Sequence, residues 1–231
     1  MSHDSIENFL QSTAQQEAKA EPFELENPYL LEVNLDGRIW SKAGAMVAYL
    51  GAVSFSREGL FEHGVGKLLK RMVTGEGTAL MKAEGKGRIY LADRGKKIRI
   101  LQLRNEIITV NGNDLLAMQD GLDWDIKILR RVAGMLAGGL FNMRLSGTGS
   151  LAITTHGDPL TLRVHPGQPV FTDPNATVAW SGSLAPEVVC NVTLRTLIGR
   201  GSCEAIQLRF EGYGWVVLQP FEEVYFQSSR R

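Results

Sequence analysis

The 231-residue chain (25.5 kDa) is 44% hydrophobic and 22% charged, an ordinary globular composition with enough chain to bury a substantial core. Lys plus Arg equals Asp plus Glu at 25 each, which excludes a long-range pull on nucleic acid or an anionic membrane; DNA is not an expected partner, and RNA would need a local basic patch. The two cysteines, Cys190 and Cys203, and the absence of a secretory signal suit a reducing, cytoplasmic setting with buried free thiols.

In chain order, residues 1–24 read as a helical appendage. Asp4 or Ser5 caps a helix running to about Glu17, with Ile6, Phe9 and Leu10 on one side and Gln11, Gln15 and Gln16 on the other. The apolar edge is expected to pack on its own domain. Pro28 to Val33 and Gly37 to Trp40 then read as a hairpin around Asn34-Leu35-Asp36-Gly37, because Asp-Gly favours tight turns.

From here the chain repeats itself. SKAGAMVAYLGAV from Ser41, NGNDLLAMQDGL from Asn111 and DPNATVAWSGSL from Asp173 share an apolar pair, Ala (48, 117, 179), a bulky residue (Tyr49, Met118, Trp180) and Gly (51, 121, 182), with Asp120 inserted in the second. A second phrase follows each: TGEGTALM around Gly75 and Gly77, SGTGSLAI around Gly147 and Gly149, EGYGWVVL around Gly212 and Gly214. These phrases lie 72 residues apart (Gly75 to Gly147) and then 65 (Gly147 to Gly212), and a fixed period of this length signals repeated structural units. The glycines are expected at corners, where a strand bends or two backbones approach closely.

Short apolar stretches such as Arg88 to Ala92, Leu151 to Ile153 and Leu160 to Val164 alternate with turn signals at Glu84–Gly87, Asp93–Gly95 and His156–Pro159. That pattern predicts an all-β protein: three internal repeats (about 25–82, 83–153 and 154–227) of a β-sandwich or β-prism unit, in one domain over 25–227 around a pseudo-threefold axis, with a short N-terminal helix. Val224 to Phe226 read as its last strand.

Between its two phrases each unit carries basic residues beside an apolar, Gly-containing segment. Lys67, Lys70 and Arg71 occupy this place first, Lys127, Arg130 and Arg131 second, Arg195 and Arg200 third. The apolar run from Val132 to Phe141 is about half the roughly 20 residues needed to cross a bilayer. These eight residues form the candidate interaction surface, for a membrane edge, an anionic ligand or an oligomer partner.

No catalytic or metal-binding set is legible, and no cofactor is expected. His3, His63, His156 and His165 lack ligand spacing, although His156 and His165 flank one predicted hairpin. Neither cysteine sits in a Cys-x-x-Cys pair, and each Gly-x-Gly precedes a strand, not the helix that a phosphate-binding loop requires. The carboxylates from Asp120 to Asp125 read as surface charge.

The segments VTGEGTALMKAEGKGRIYLA, VNGNDLLAMQDGLDWDIK, VAGMLAGGLFNMRLSGTGSLAITTHGDPLTL and FTDPNATVAWSGSL resemble the altered-inheritance-of-mitochondria family of small β proteins, over about residues 22–225. The resemblance implies a fold similar to that of the tryptophan RNA-binding attenuation protein, with the unit repeated within one chain. It also implies further assembly into oligomers and, for eukaryotic members, a role in mitochondrial inner-membrane organisation. It brings no catalytic residues. The RNA ring and amino-acid pocket of that RNA-binding protein have no matching motif here, and likeness of fold alone warrants little about function. The expectation is a non-enzymatic binding or scaffold protein, homo-oligomeric, engaging a protein partner or a membrane surface. A small-ligand- or RNA-binding regulator is the alternative.

Overall fold

A computed structural model describes residues 5–16, 21–57, 80–128, 141–190 and 206–222. Ser5 caps α1 (Ile6–Ser12), the one helix among the described residues, its hydroxyl accepting from Asn8 N–H at 3.1 Å. Two expectations for this segment fail. The helix stops at Ser12 instead of reaching Glu17, and none of its residues is buried; Ile6, Phe9 and Leu10 all face solvent.

All other regular structure among the described residues is antiparallel β. The strands are β1 (Phe23–Asn27), β2 (Leu30–Lys42), β3 (Met46–Arg57), β4 (Leu80–Leu91), β5 (Lys97–Asn111), β6 (Leu115–Gln119) and β7 (Asp123–Ile128). They continue with β8 (Phe141–Thr155), β9 (Leu160–Val164), β10 (Val170–Thr172), β11 (Thr177–Ser181), β12 (Glu187–Cys190), β13 (Ile206–Phe210) and β14 (Gly214–Leu218). An eleven-stranded sheet runs β3-β4-β2-β6-β8-β5-β11-β14-β9, with β1 beside β2 and β7 beside β8, and a three-stranded sheet runs β10-β13-β12.

Two predicted turns are absent because long neighbouring strands hold the chain straight. Asn34 to Gly37 form no hairpin: β2 passes through them, laddered to β4 from Leu31↔Leu91 to Lys42↔Leu80. Glu84 to Gly87 likewise lie inside β4, between β2 and β3. The turns at Asp93–Gly95 and His156–Pro159 do separate strands, the first with Lys96 N–H donating to Asp93 C=O at 2.8 Å.

One hydrogen-bonding scheme occurs at three places. A tight turn closes from Ala45 N to Lys42 O, from Asp114 N to Asn111 O, and from Ala176 N to Asp173 O. A bulge follows between Met46 and Ala48, Leu115 and Ala117, and Thr177 and Ala179. The three alanines then pair with Tyr90, Ala152 and Val217, and the carbonyls of Ala45, Asp114 and Ala176 accept from Ala92, Thr154 and Gln219 N–H at 2.9, 2.8 and 2.9 Å.

This register corrects the glycine alignment read from sequence. Ala152 and Val217 each lie three residues beyond the second glycine of their phrase, Gly149 and Gly214; the glycine three residues before Tyr90 is Gly87, not Gly77. The first occurrence is therefore Glu84-Gly85-Lys86-Gly87, and Gly75 and Gly77 lie outside the described residues. Gly85, Gly147 and Gly212 all have positive φ, +132°, +110° and +118°, a backbone conformation that L side chains rarely adopt. Gly87 and Gly214 serve close approach: a Cβ on Gly214 would stand 2.1 Å from Ser181 Oγ.

Three apolar clusters fill the interior, around Leu31, Val33 and Ile89, around Val110, Met118 and Leu151, and around Val164, Phe210 and Val216. Each is built on strands that share the recurring register.

Candidate interaction surface

Strand β3 carries no charged residue before Arg57, and among the described residues it is laddered only to β4. Met46, Val47, Tyr49 and Leu50 are consequently exposed, and Tyr49 stacks edge-on to Phe55 with centroids 5.2 Å apart. An uncharged apolar edge strand of this length is a template for pairing with another chain, and soluble proteins usually blunt such edges with Lys, Pro or a covering element. The apolar character of this stretch was legible in the sequence; its position at the end of the sheet was not.

Of the eight basic residues proposed from sequence, only Lys127 lies among the described residues. It is exposed on β7, paired with Asp125 at 2.5 Å. Lys67, Lys70, Arg71, Arg130, Arg131, Arg195 and Arg200 fall outside, as do Cys203 and the predicted strand at Val224–Phe226.

The two described histidines do not meet. His156 N–H donates to Gln219 Oε1 at 2.8 Å and its ring packs on Phe221, whereas His165 lies edge-on to Tyr213 with centroids 6.2 Å apart. Gln219 and Tyr213 flank β14 at its two ends, about 20 Å apart at strand rise. Among the described residues no group of three or more His, Cys, Asp or Glu is placed to hold a metal. Asp120 is more than surface charge, since its carboxylate accepts the Trp40 indole N–H at 3.0 Å.

A polar strap behind α1 escaped the sequence reading. Gln15 Nε2 donates to Glu32 Oε2 at 2.8 Å and to Tyr90 Oη at 2.6 Å, and Gln16 bonds Glu26 through its backbone N–H and its side chain. Glu32 is buried, and its other oxygen accepts no hydrogen bond, with Arg88 Nε 3.9 Å away. Burial raises the Glu26 carboxyl above its ordinary 4.5, and the Glu32 carboxylate adds to the rise against the opposing Gln16 N–H. Burial also pushes Glu32 up, but hydrogen bonds from Glu26, Gln15 and Tyr90, with the Arg88 charge, outweigh it and hold Glu32 below 4.5.

The two shifts act on stability with opposite signs. The Glu32 contribution is present above pH 4.5 and fades as pH falls through its lowered value; the Glu26 contribution is present below pH 4.5 and is lost as pH rises through its raised value. The pair therefore stabilises most near pH 4.5. Glu26→Gln should leave the melting temperature at pH 7 unchanged or higher, and Glu32→Ala should cost about 1–3 kcal/mol by stripping the strap of a buried charged acceptor. Melting curves of both variants at pH 7 check this; a loss in Glu26→Gln equal to that in Glu32→Ala would contradict it.

Beside the strap lies an open cleft of about 480 Å³ lined by Leu25, Tyr29, Ile98, Lys97 and Arg99 among others. Lys97 and Arg99 both hold Asp158, at 2.8 and 3.3 Å, and these contacts, the Lys97 hydrogen bond first, keep its carboxyl below the ordinary 3.8.

Residues 23–221 match the family model described as mitochondrial biogenesis AIM24. The chain belongs to the AIM24 family. A solved structure, that of protein SPYM3_0169 from Streptococcus pyogenes, is similar to it at 25% identity with a TM-score of 0.67, covering 87% of this chain and 92% of that one. No curated protein is matched. The match takes in β1 through β14 and leaves α1 outside, so the exposed β3 edge and the cleft both belong to the AIM24 body. Among the described residues no helix is long and apolar enough to cross a membrane.

Proposed function

We propose that this AIM24-family protein is a non-enzymatic scaffold that self-associates in the cytoplasm and engages a protein partner or a membrane surface through its repeated β faces. The observation that carries the reading is the β3 edge, where Met46, Val47, Tyr49 and Leu50 are exposed on a strand that, among the described residues, is laddered on one side only. The threefold occurrence of one turn, bulge and ladder register supports three repeated units related by a pseudo-threefold arrangement of the β-prism type, similar to the attenuation-protein fold. Three copies of one face suit multivalent engagement, in which linked weak contacts gain strength without any new contact.

Light scattering across a concentration series, with co-sedimentation on vesicles containing anionic lipid, tests the proposal. Self-association that grows with concentration, or vesicle binding reduced by Lys127→Ser with Arg130→Ser and Arg131→Ser, is the expected result. A strict monomer that neither sediments with vesicles nor retains a partner would overturn it.

The cleft beside Lys97 and Arg99 favours a second reading, a regulator that binds a small anionic or zwitterionic ligand between paired cations and the apolar Leu25 and Ile98. Thermal shift with a panel of amino acids and nucleotides tests it. A gel shift with RNA at two salt concentrations tests the RNA branch, where binding that weakens with salt is expected of phosphate contacts.

A further inference from the structure

Two seams inside this chain specify what fits the open β3 edge. In the first seam β2 meets β6 with Ile39↔Gln119, Trp40↔Met118 and Ser41↔Ala117. In the second, β5 meets β11 with Ile108↔Ser181, Thr109↔Trp180 and Val110↔Ala179. The two are the same seam: in each, a strand ending at one tight turn (from Lys42 or Asn111) lies against the bulged strand that follows the next turn (from Asn111 or Asp173).

The third tight turn and the first bulged strand complete the series, and neither has that neighbour. The strand ending at Asp173 is β10, which among the described residues is laddered only to β13; the bulged strand after Lys42 is β3, laddered only to β4. The inner ladders confirm the equivalence of β10 with β2 and β5, since Trp40↔Lys82, Thr109↔Arg144 and Phe171↔Arg209 occupy one register, each three residues before the positive-φ glycine.

Burial separates the two completed seams from the missing one. At the central cross-strand pair, Trp40 and Met118 are 4% and 0% exposed, and Thr109 and Trp180 are 4% and 3% exposed. Their counterparts Phe171 and Tyr49 are 50% and 46% exposed. An aromatic pair built to face each other across a ladder stands open on both halves.

We infer that β10 of one copy of this chain pairs antiparallel with β3 of a second copy, in the register Val170↔Leu50, Phe171↔Tyr49 and Thr172↔Ala48. The inference rests on the self-association proposed above and names its surface. The contact is head-to-tail, so every copy offers β3 on one side and β10 on the other, and the two patches differ. Aromatic pairing across the ladder supplies side-chain energy, while the backbone groups of both edges supply the directional bonds.

The test uses single-cysteine variants of the full chain, Tyr49→Cys and Phe171→Cys, each with Cys190→Ala and Cys203→Ala. Because the contact is head-to-tail, neither variant alone should cross-link on mild oxidation, whereas their mixture should give a disulfide-linked dimer. In the otherwise unaltered chain, Phe171→Glu should raise the concentration at half-dissociation at least about tenfold. Oligomers by light scattering without a mixed cross-link would overturn this edge pairing and leave self-association standing. A monomer at every concentration would overturn both. A Tyr49→Cys/Phe171→Cys double variant that cross-links within one chain would also overturn it, because β3 would then be covered by its own β10.

Discussion

Gly85→Val should destabilise the protein by at least about 3 kcal/mol, which for a chain of this size lowers the melting temperature by roughly 6–12 °C. Two independent costs combine at this position. Its φ of +132° lies where an L side chain is strained, and a Cβ built there would stand 2.0 Å from Ala52 O and 3.1 Å from Ala52 C. Both atoms are backbone of β3, held by the ladder from Arg57↔Met81 to Met46↔Leu91, so they cannot swing aside as the end of a long side chain would. Relief requires β3 to move away from β4.

Gly95→Ala separates the two costs. Gly95 also has positive φ, +76°, but a Cβ there meets nothing within 4 Å. Only the backbone term applies, about 1–2 kcal/mol. Thermal melts of the two variants against the parent decide the matter: equal losses would mean that close approach of β3 and β4 contributes nothing and that backbone conformation alone explains the glycine.

Gly85 also marks where sequence reading succeeded and where it failed. The alternation of apolar residues with Gly, Asp and Pro was enough to specify antiparallel β structure, because periodicity and turn chemistry are local. The phrase containing Ala48, Ala117 and Ala179 could be aligned from sequence, since each alanine follows a bulge whose geometry is set within a few residues. The glycine phrase was misaligned because two Gly-x-Gly pairs, Gly75-Gly77 and Gly85-Gly87, lie ten residues apart and composition cannot choose between them. Only the pairing Ala48↔Tyr90 makes the choice, and a ladder between residues so far apart leaves no mark in a single sequence.

The false hairpin at Asp36-Gly37 has the same origin. Asp-Gly turns are local preferences, whereas β2 is held extended by non-local neighbours, β4 along its length and β6 and β1 on its other side. On the interaction surface, the apolar character of β3 was visible, but its lack of a second neighbour among the described residues is a fact of topology. The polar strap depends on Gln15, Glu32 and Tyr90 converging from three separate segments, for which no spacing rule exists.

Asp114→Leu should cost about 3–5 kcal/mol, while the double variant Lys96→Met/Asp114→Leu should return to within about 1–2 kcal/mol of the parent. The two side chains are 1% and 5% exposed and their charged atoms are 2.9 Å apart, Lys96 Nζ to Asp114 Oδ1. Beside them Asp93 accepts from Lys42 Nζ at 2.8 Å and Thr154 Oγ1 at 3.1 Å, with Lys96 Nζ at 3.9 Å, and Lys42 also donates to Asn113 O at 2.7 Å. The cluster thus joins the tight turns after β2, β4 and β5. With Asp114 gone, the buried Lys96 ammonium loses the carboxylate oxygen 2.9 Å away while Asp93 Oδ2 stands 3.9 Å off, and removing one partner of a buried ion pair costs more than the pair was worth. Removing both charges deletes that penalty and leaves apolar side chains of similar reach. Urea unfolding with a constant slope would measure the coupling directly, as the amount by which the double variant is more stable than the two single losses predict. Additive losses would mean that Lys96 and Asp114 are satisfied independently by other neighbours, and that the three turns are held together by their backbone hydrogen bonds alone.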